Sequence, residues 1–247
     1  MLKSGLYEQI INQGINEELK STDKIIRLKN IDEGESSKVL AQYASEIIEK
    51  GLNQLGDDKL PEKIELINKM IEVIRAKTGD EDFTSMSVDE RAEQLLALLD
   101  KENSKYAIDQ NSTVIRPETS IAQSSLFTSA VNEPQLLGEL KKEIVSADRI
   151  DMIVSFIKWS GVRRIINELK DFTDKGGELR IITTSYMGAT DVKAIEELRK
   201  LSNTMIKVSY DTKVTRLHVK SYVFYRDTGF TTAYVGSSNL SGAAIST

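Results

Sequence analysis

The residue types best suited to phosphate chemistry lie close together near the end of the chain. His218 and Lys220 are two positions apart in a run typical of a β-strand, so both side chains point to the same face. Residues 236–239 (GSSN) follow the next predicted strand and open a predicted helix, where backbone N–H groups favour an anion. An imidazole can attack phosphorus, while an ammonium and an amide can hold the non-bridging oxygens. The pattern therefore predicts a site that handles phosphate.

The candidate catalytic residues have different expected roles. His218 is the expected nucleophile, and Lys220 and Asn239 are expected to stabilise the charge that develops on the phosphate. Ser237 and Ser238 suit phosphate contact or orientation of His218, although such a pair is also typical of a turn and a helix cap. A histidine beside a lysine is common on any strand, so it is the nearby GSSN sequence that favours catalysis.

Three further residues are candidates for contact with a substrate. Lys158 and Trp159 follow the first strand predicted in the second half of the chain, where loops that face ligands often lie. Trp159 can stack on a base, but a tryptophan here also suits the core or an interface. Arg216 lies on the face of His218 if its strand begins early enough.

Composition excludes several classes of site. The chain of 247 residues has no cysteine and one histidine, which excludes disulfides, zinc ribbons, iron–sulfur clusters, cysteine nucleophiles and any metal site built from several imidazoles of one chain. We therefore expect neither a metal nor a cofactor. The sequence also lacks an apolar signal-peptide core and a run of about 20 apolar residues, so we expect a cytoplasmic protein without a membrane partner.

Charge divides the chain into two parts. Residues 1–110 carry 15 Lys and Arg against 23 Asp and Glu, whereas residues 111–247 carry 18 against 15. The net charge of −5 is not that of a protein that binds nucleic acid over its whole surface. We expect an acidic helical domain over 1–105, a polar linker over 106–125 and a second domain over 126–247.

The first domain has the apolar spacing of amphipathic helices. Apolar residues recur at three- and four-residue steps in 39–52 and 64–74, and Ser87-Val-Asp-Glu90 matches a capping box before another apolar run. With an opening helix, four or five helices would form a small bundle. None of these residues suggests catalysis, and a scaffold or partner-docking role is expected.

The second domain alternates between strand and helix patterns. The predicted order is β-α-β-α-β-β-β-α, which favours an α/β sandwich with a mixed sheet. The whole chain is therefore predicted to be α+β, with a helical bundle followed by this sandwich. The strands are predicted over 149–156, 178–184, 204–209, 217–225 and 230–235, and the helices over 162–172, 192–201 and, at its start only, 238–245. Because the last helix has just begun, we expect a fragment of a longer protein.

His218-Val-Lys220 followed by Gly236-Ser-Ser-Asn239 resembles the signature of the phospholipase D superfamily, in which His-x-Lys precedes an Asp and then Gly-Ser-x-Asn. Tyr225 stands where that signature has its Asp. The Asp-less form is familiar from nuclease branches of the superfamily, so the resemblance implies a phosphodiesterase that acts through a phosphohistidine.

A closer resemblance is to the N-terminal region of bacterial DEAD/DEAH-box superfamily 2 helicases that carry a phospholipase D-like domain. No GxxxxGK[ST] motif occurs in the sequence, so the resemblance implies that the helicase ATPase would lie beyond residue 247. The segments that carry this resemblance are 115–119 (IRPET), 146–161 (SADRIDMIVSFIKWSG), 184–191 (TSYMGATD) and 236–241 (GSSNLS).

Two functions from different classes follow from these observations. The first is a metal-independent nuclease that serves a DNA helicase, and since this route uses two histidines, it implies a homodimer that shares one site. The second is a module that binds nucleic acid and positions DNA for the motor without cutting it, which Tyr225 slightly favours. A lipid phosphodiesterase is a weaker third hypothesis.

Overall fold

The computed structural model describes residues 2–98, 114–127, 134–211 and 217–245. The chain divides into two units, Met1–Leu95 and Leu96–Thr247.

The first unit contains the amphipathic helices predicted over 39–52 and 64–74, whereas the predicted opening helix begins only at Gln13. Pro61 lies in the first turn of the third helix, and Gly79 ends that helix with a φ of 70°. None of the described residues in 2–98 is buried, so the apolar stripes of these helices do not form a closed core there. The elements are α1 (Gln13–Lys20), α2 (Ser36–Gln54), α3 (Leu60–Thr78) and a 3₁₀ helix (Glu81–Met86).

The helix predicted after the capping box at Ser87 is wrong. The side-chain amide of Asn68 accepts a hydrogen bond from Val88 N and donates one to Val88 O, at 2.8 and 3.0 Å. The carboxylate of Asp89 accepts from Arg91 N at 3.0 Å and forms a local turn. These side chains compete for the backbone groups that a first helical turn would need.

The second unit is built on a five-stranded mixed sheet in the order β3-β2-β1-β4-β5. The three strands β1, β2 and β3 are parallel, and β4 runs antiparallel to both β1 and β5. This arrangement confirms the predicted fold class. The strands are β1 (Arg149–Val154), β2 (Glu178–Thr184), β3 (Thr204–Ser209), β4 (Lys220–Tyr225) and β5 (Thr232–Val235).

Helices pack on the sheet face that carries the core. Ile150 and Met152 of β1 are buried on this face, opposite Phe224 and Tyr222 of β4. The single helix predicted over 162–172 is two helices separated by a short break. The helices are α4 (Leu136–Ser146), α5 (Trp159–Val162), α6 (Ile166–Asp174), α7 (Val192–Arg199) and α8 (Gly242–Ile245), with a 3₁₀ turn at Tyr186–Gly188.

Two buried carboxylates of α4 hold neighbouring segments of this unit. Glu139 and Glu143 are both 0% exposed. Glu143 accepts hydrogen bonds from Arg226, Thr232 and Tyr234, which fixes the β4–β5 hairpin on α4. Glu139 instead binds part of residues 114–127, a segment without helix or strand that we call the strap.

The direction of the strands determines where the site lies. The carboxyl ends of β1, β2, β3 and β5 meet at one edge of the sheet, and β4 begins at that same edge. His218 lies two residues before the first residue of β4, and residues 236–239 immediately follow β5. The topology thus brings together the two groups that the sequence placed about 20 residues apart.

Candidate functional site

Lys220 and His218 are in direct contact at the start of β4. The Nζ atom of Lys220 lies 3.1 Å from both ring nitrogens of His218 and 3.3 Å from the His218 carbonyl oxygen. Equal distances to both nitrogens place the ammonium over the ring face, because an in-plane position at that separation would collide with the ring carbon between them. The in-plane directions of both nitrogens therefore point away from Lys220.

The ammonium of Lys220 is buried, and it has no carboxylate partner among the described residues. Lys220 is 7% exposed and faces the same side of the sheet as Val154, its partner on β1. No carboxylate in the described segments forms an ion pair with it. A buried charge of this kind is costly unless an opposite charge compensates it. The site is therefore suited to an anion, and His218 is the exposed group beside it.

Residues 236–239 are tied to β4 at two points. Gly236 N donates to Lys220 O at 3.2 Å, and the Tyr222 hydroxyl donates to Ser238 O at 3.0 Å. Burial raises the pKa of Tyr222, so its hydroxyl stays protonated and remains a donor. These two bonds hold the GSSN sequence against the strand that begins with Lys220.

The side chain of Asn239 has a fixed orientation. Its Oδ1 atom accepts a hydrogen bond from Phe156 N at 3.1 Å. Because this donor is a backbone N–H, the atom that faces it must be the oxygen, and the NH₂ group is directed away from Phe156. Asn239 is thereby set to act as a hydrogen-bond donor, as charge stabilisation on a phosphate oxygen requires.

Residues 156–159 form a brace between two other loops at this edge. The N–H groups of residues 156 and 158 donate hydrogen bonds to Asn239 and Leu240 on one side. Those of residues 157 and 159 donate to Thr190 and Asp191 on the other side. Each of the four consecutive N–H groups thus has a partner, so this brace, as we call residues 156–159, has a defined position.

The brace continues into a close contact with the chain that follows Asn239. A Cβ atom on Gly161 would lie 2.7 Å from the backbone of Leu240, so only glycine allows this approach. The Ser160 hydroxyl accepts from Gly242 N at 3.1 Å. Ser160 and Gly161, which follow the brace, therefore serve to pack it against residues 240–242.

Lys158 and Trp159 are engaged by neighbours in the structure. Lys158 Nζ lies 3.1 Å from Asp191 Oδ1, and Trp159 N donates to Asp191 Oδ2 at 2.9 Å. These two donors hold the pKa of the Asp191 carboxyl below its usual range. The Trp159 ring packs on the core, with Lys193 Nζ 4.9 Å from its centroid. Base stacking by Trp159 and substrate contact by Lys158 stay predictions.

The other predicted site residues are placed as follows. Ser237 is exposed at the same edge, and Ser238 is partly buried and offers its carbonyl to Tyr222. Direct contact of either hydroxyl with phosphate stays a prediction. Arg216 lies outside the described residues. Among those that are described, no cluster of three or more acidic or histidine side chains could hold a metal ion.

Tyr225 has no contact with this edge. It is five residues beyond Lys220 and faces the opposite side of the sheet, where the Arg149 guanidinium lies 3.8 Å from its ring centroid. At about 3.3 Å per residue it is about 16 Å along the strand. Its presence in place of an Asp therefore leaves the surroundings of His218 unchanged.

Residues 140–247 match the profile of the family described as "Cardiolipin synthase, PLD-like domain". This match supports a phospholipase D-like domain in the second unit. The matched range includes His218, Lys220 and Asn239. A comparison with curated proteins found no match. No helix among the described residues has the length and apolar character needed to cross a bilayer.

The roles of Tyr222 and Asp191 in holding these loops do not follow from the sequence. Tyr222 is two residues after Lys220 on β4, which indicates that both side chains face the same side of the sheet. Its hydrogen-bond partner, Ser238, is 16 residues away along the chain. Asp191 immediately precedes α7, a position where Asp is typical as a helix cap. The sequence pattern therefore does not indicate its contacts with the brace.

Proposed function

We propose that the phospholipase D-like domain cleaves phosphodiester bonds in nucleic acid without a metal ion. One observation carries the proposal: the buried ammonium of Lys220, which has no carboxylate partner in the described part of the chain, lies against His218, at the edge where Asn239 also lies. Together these groups offer a nucleophile, a fixed positive charge and an amide donor to one phosphate.

The reaction has two steps. A neutral His218 nitrogen attacks phosphorus, the P–N bond forms as the P–O bond to the leaving group breaks, and a second, protonated histidine gives its proton to the departing oxygen. That second histidine, now neutral, takes a proton from water as the water attacks phosphorus and the P–N bond breaks. Lys220 and Asn239 stabilise the negative charge in both steps.

The need for a second imidazole implies a homodimer. The sequence contains a single histidine, so one chain cannot supply both groups. A two-fold axis through the edge of the sheet places the same residue of each copy in one shared cleft. The second copy's His218 is then the acid and base for the first.

The resemblance to helicase-linked domains supports DNA as the substrate and a C-terminal helicase motor as the partner in a longer cytoplasmic protein. The charge distribution agrees with this assignment, because residues 111–247 are net basic while residues 1–110 are net acidic. The motor, rather than this domain, would hydrolyse ATP.

A second candidate function is phosphate binding without cleavage. The observation that favours it is the same single histidine, since Lys220 and Asn239 can hold a phosphate in a monomer that has no second imidazole. Such a module would hold DNA for the motor.

Cleavage of single-stranded and duplex DNA in EDTA separates the two candidates. The nuclease proposal expects cutting by the wild type, loss of cutting in His218→Ala, and unchanged cutting in the surface variant Lys170→Ala. Salt-sensitive DNA binding without cutting would establish the binding module instead. Cleavage of phospholipid vesicles but not of DNA would contradict nucleic acid as the substrate.

A further inference from the structure

We infer that Asp191 is a positioning residue that sets the Asn239 amide through the brace. This inference rests on the proposed function, because it assigns Asn239 to the phosphate. Asp191 is contacted by three consecutive residues that lead back to Phe156: its own N–H donates to Ile157 O at 2.8 Å, and its carboxylate accepts from Lys158 Nζ and Trp159 N.

The path from Asp191 to Asn239 is short and consists of hydrogen bonds. The N–H group of Phe156 orients Asn239, and the carbonyl oxygen of the next residue, Ile157, accepts a hydrogen bond from Asp191 N. A parallel bridge between Ile157 and Leu240 joins the same two segments on the far side. Without the Asp191 carboxylate, the brace keeps Thr190 on that side but loses the acceptor for Trp159 N and the partner of Lys158. The Phe156 amide can then shift relative to Asn239.

The carboxylate of Asp191 has two separable roles. As an acceptor for Trp159 N it fixes the brace, and as an anion it holds the Lys158 ammonium. Asp191→Asn keeps an acceptor for the amide and removes the charge, whereas Asp191→Ala removes both. The first variant therefore affects substrate attraction, and the second also affects the position of Asn239.

A double-mutant cycle tests the inference in the full chain. We expect Asp191→Ala to lower kcat about tenfold, as loss of one oriented hydrogen bond would, and Asp191→Asn to keep kcat within about threefold of the wild type. In an Asn239→Ala background, Asp191→Ala should lower kcat less than about twofold further, because its effect passes through Asn239. Loss of the Asp191 charge releases the Lys158 ammonium, and we expect this release to change KM rather than kcat.

Asp174 provides a matched control. It also accepts from a lysine and a second donor, Lys170 and Ser202, but it lies at the end of α6, away from the carboxyl edge of the sheet. Asp174→Ala should leave kcat unchanged. If Asp191→Ala does not fold, Asp191→Glu takes its place, since it keeps the charge but moves the acceptor by one methylene.

Independent, multiplying effects of Asp191→Ala and Asn239→Ala on kcat would overturn the inference. If the wild type binds oxyanions but shows no turnover in EDTA, the enzymatic proposal fails on its own, and the same cycle is measured on the Kd for tungstate, where the coupling must appear. A wild type that neither cuts nor binds tungstate would overturn both.

Discussion

At the scale of single residues, the central feature is the buried Lys220 ammonium. It is 7% exposed and contacts His218, without a carboxylate partner among the described residues. We expect Lys220→Met to fold at least as stably as the wild type, because it removes an uncompensated buried charge. We also expect it to lower the cleavage rate about 100-fold or more, as loss of an oxyanion donor does.

Thermal unfolding with and without tungstate checks this expectation alongside the rate. The wild type should be stabilised by the oxyanion and the variant should not. Lys170→Met, which removes an exposed surface ion pair, is the control. Unfolding of Lys220→Met together with its inactivation would show that Lys220 is needed for the fold rather than for the phosphate.

The hydroxyl of Tyr222 makes a separate contribution to stability. Tyr222→Phe leaves Ser238 O without its donor, and we expect a loss of about 1–2 kcal/mol in the free energy of unfolding. Urea unfolding measures this loss, and Tyr210→Phe, at a residue that is 79% exposed, should change stability by less than about 0.5 kcal/mol. Equal effects of the two substitutions would show that the buried bond adds nothing.

The spacing of site residues along the chain explains which of them the sequence could predict. His218, Lys220 and Asn239 follow from alternation on a strand and from the GSSN sequence after the next strand. Tyr222 and Asp191 act through partners that only the tertiary fold brings near, at separations of 16 and 32 residues. No local pattern marks such pairs.

At the scale of elements, α4 links the strap to the strands that carry the site. Glu139 accepts hydrogen bonds from Glu118 N, Thr119 N and the Thr119 hydroxyl, while its neighbour by one turn, Glu143, holds the β4–β5 hairpin. The hydroxyls of Thr119 and Tyr234 are 3.5 Å apart and connect the two sets. Residues 114–125, predicted as part of a linker, include this attachment to the second unit.

The strap should therefore contribute to stability in a pH-dependent way. Burial alone would raise the pKa of Glu139, but hydrogen bonds from Lys142 and Thr119 outweigh it, and the net pKa is lowered. A folded-state pKa below the unfolded value gives stability that is fully present above the ordinary glutamate value of about 4.3 and is lost as pH falls through the folded-state pKa.

We expect Glu139→Gln to destabilise the protein by about 1–3 kcal/mol at pH 7 and by clearly less near pH 3. Urea unfolding at both pH values measures the difference. Glu65→Gln, at an exposed helical ion pair, is the control. The same loss at both pH values would mean that the Glu139 charge does not hold the strap.

The strands of the second unit were more predictable than the helices of the first. The boundaries of β2 and β3 match the predicted ranges, because runs rich in β-branched and apolar residues between turn residues mark them clearly. The capping box at Ser87 failed because the partner that overrides it, Asn68, lies 20 residues earlier. A sequence pattern over a few residues does not reveal a competing hydrogen-bond partner that lies so far away along the chain.

At the scale of the whole molecule, the proposed reaction requires two copies of the chain around one phosphate. Random mixing of wild-type and His218→Ala chains in equal amounts tests this requirement. If both histidines of a dimer are needed, activity should fall to about one quarter of that of the same total amount of wild type, whereas independent sites would keep about one half. Light scattering on the same samples should give the mass of a dimer.

Detection of a covalent intermediate tests the central claim most directly. The chain has one histidine and no cysteine, so a phosphorus adduct on an imidazole can only be on His218. After rapid quenching of a reaction with a phosphodiester in EDTA, peptide mass spectrometry should show the substrate's phosphoryl group on the peptide that contains His218, and none in His218→Ala. Turnover that requires Mg²⁺, or EDTA-resistant turnover without any adduct on His218, would contradict the account.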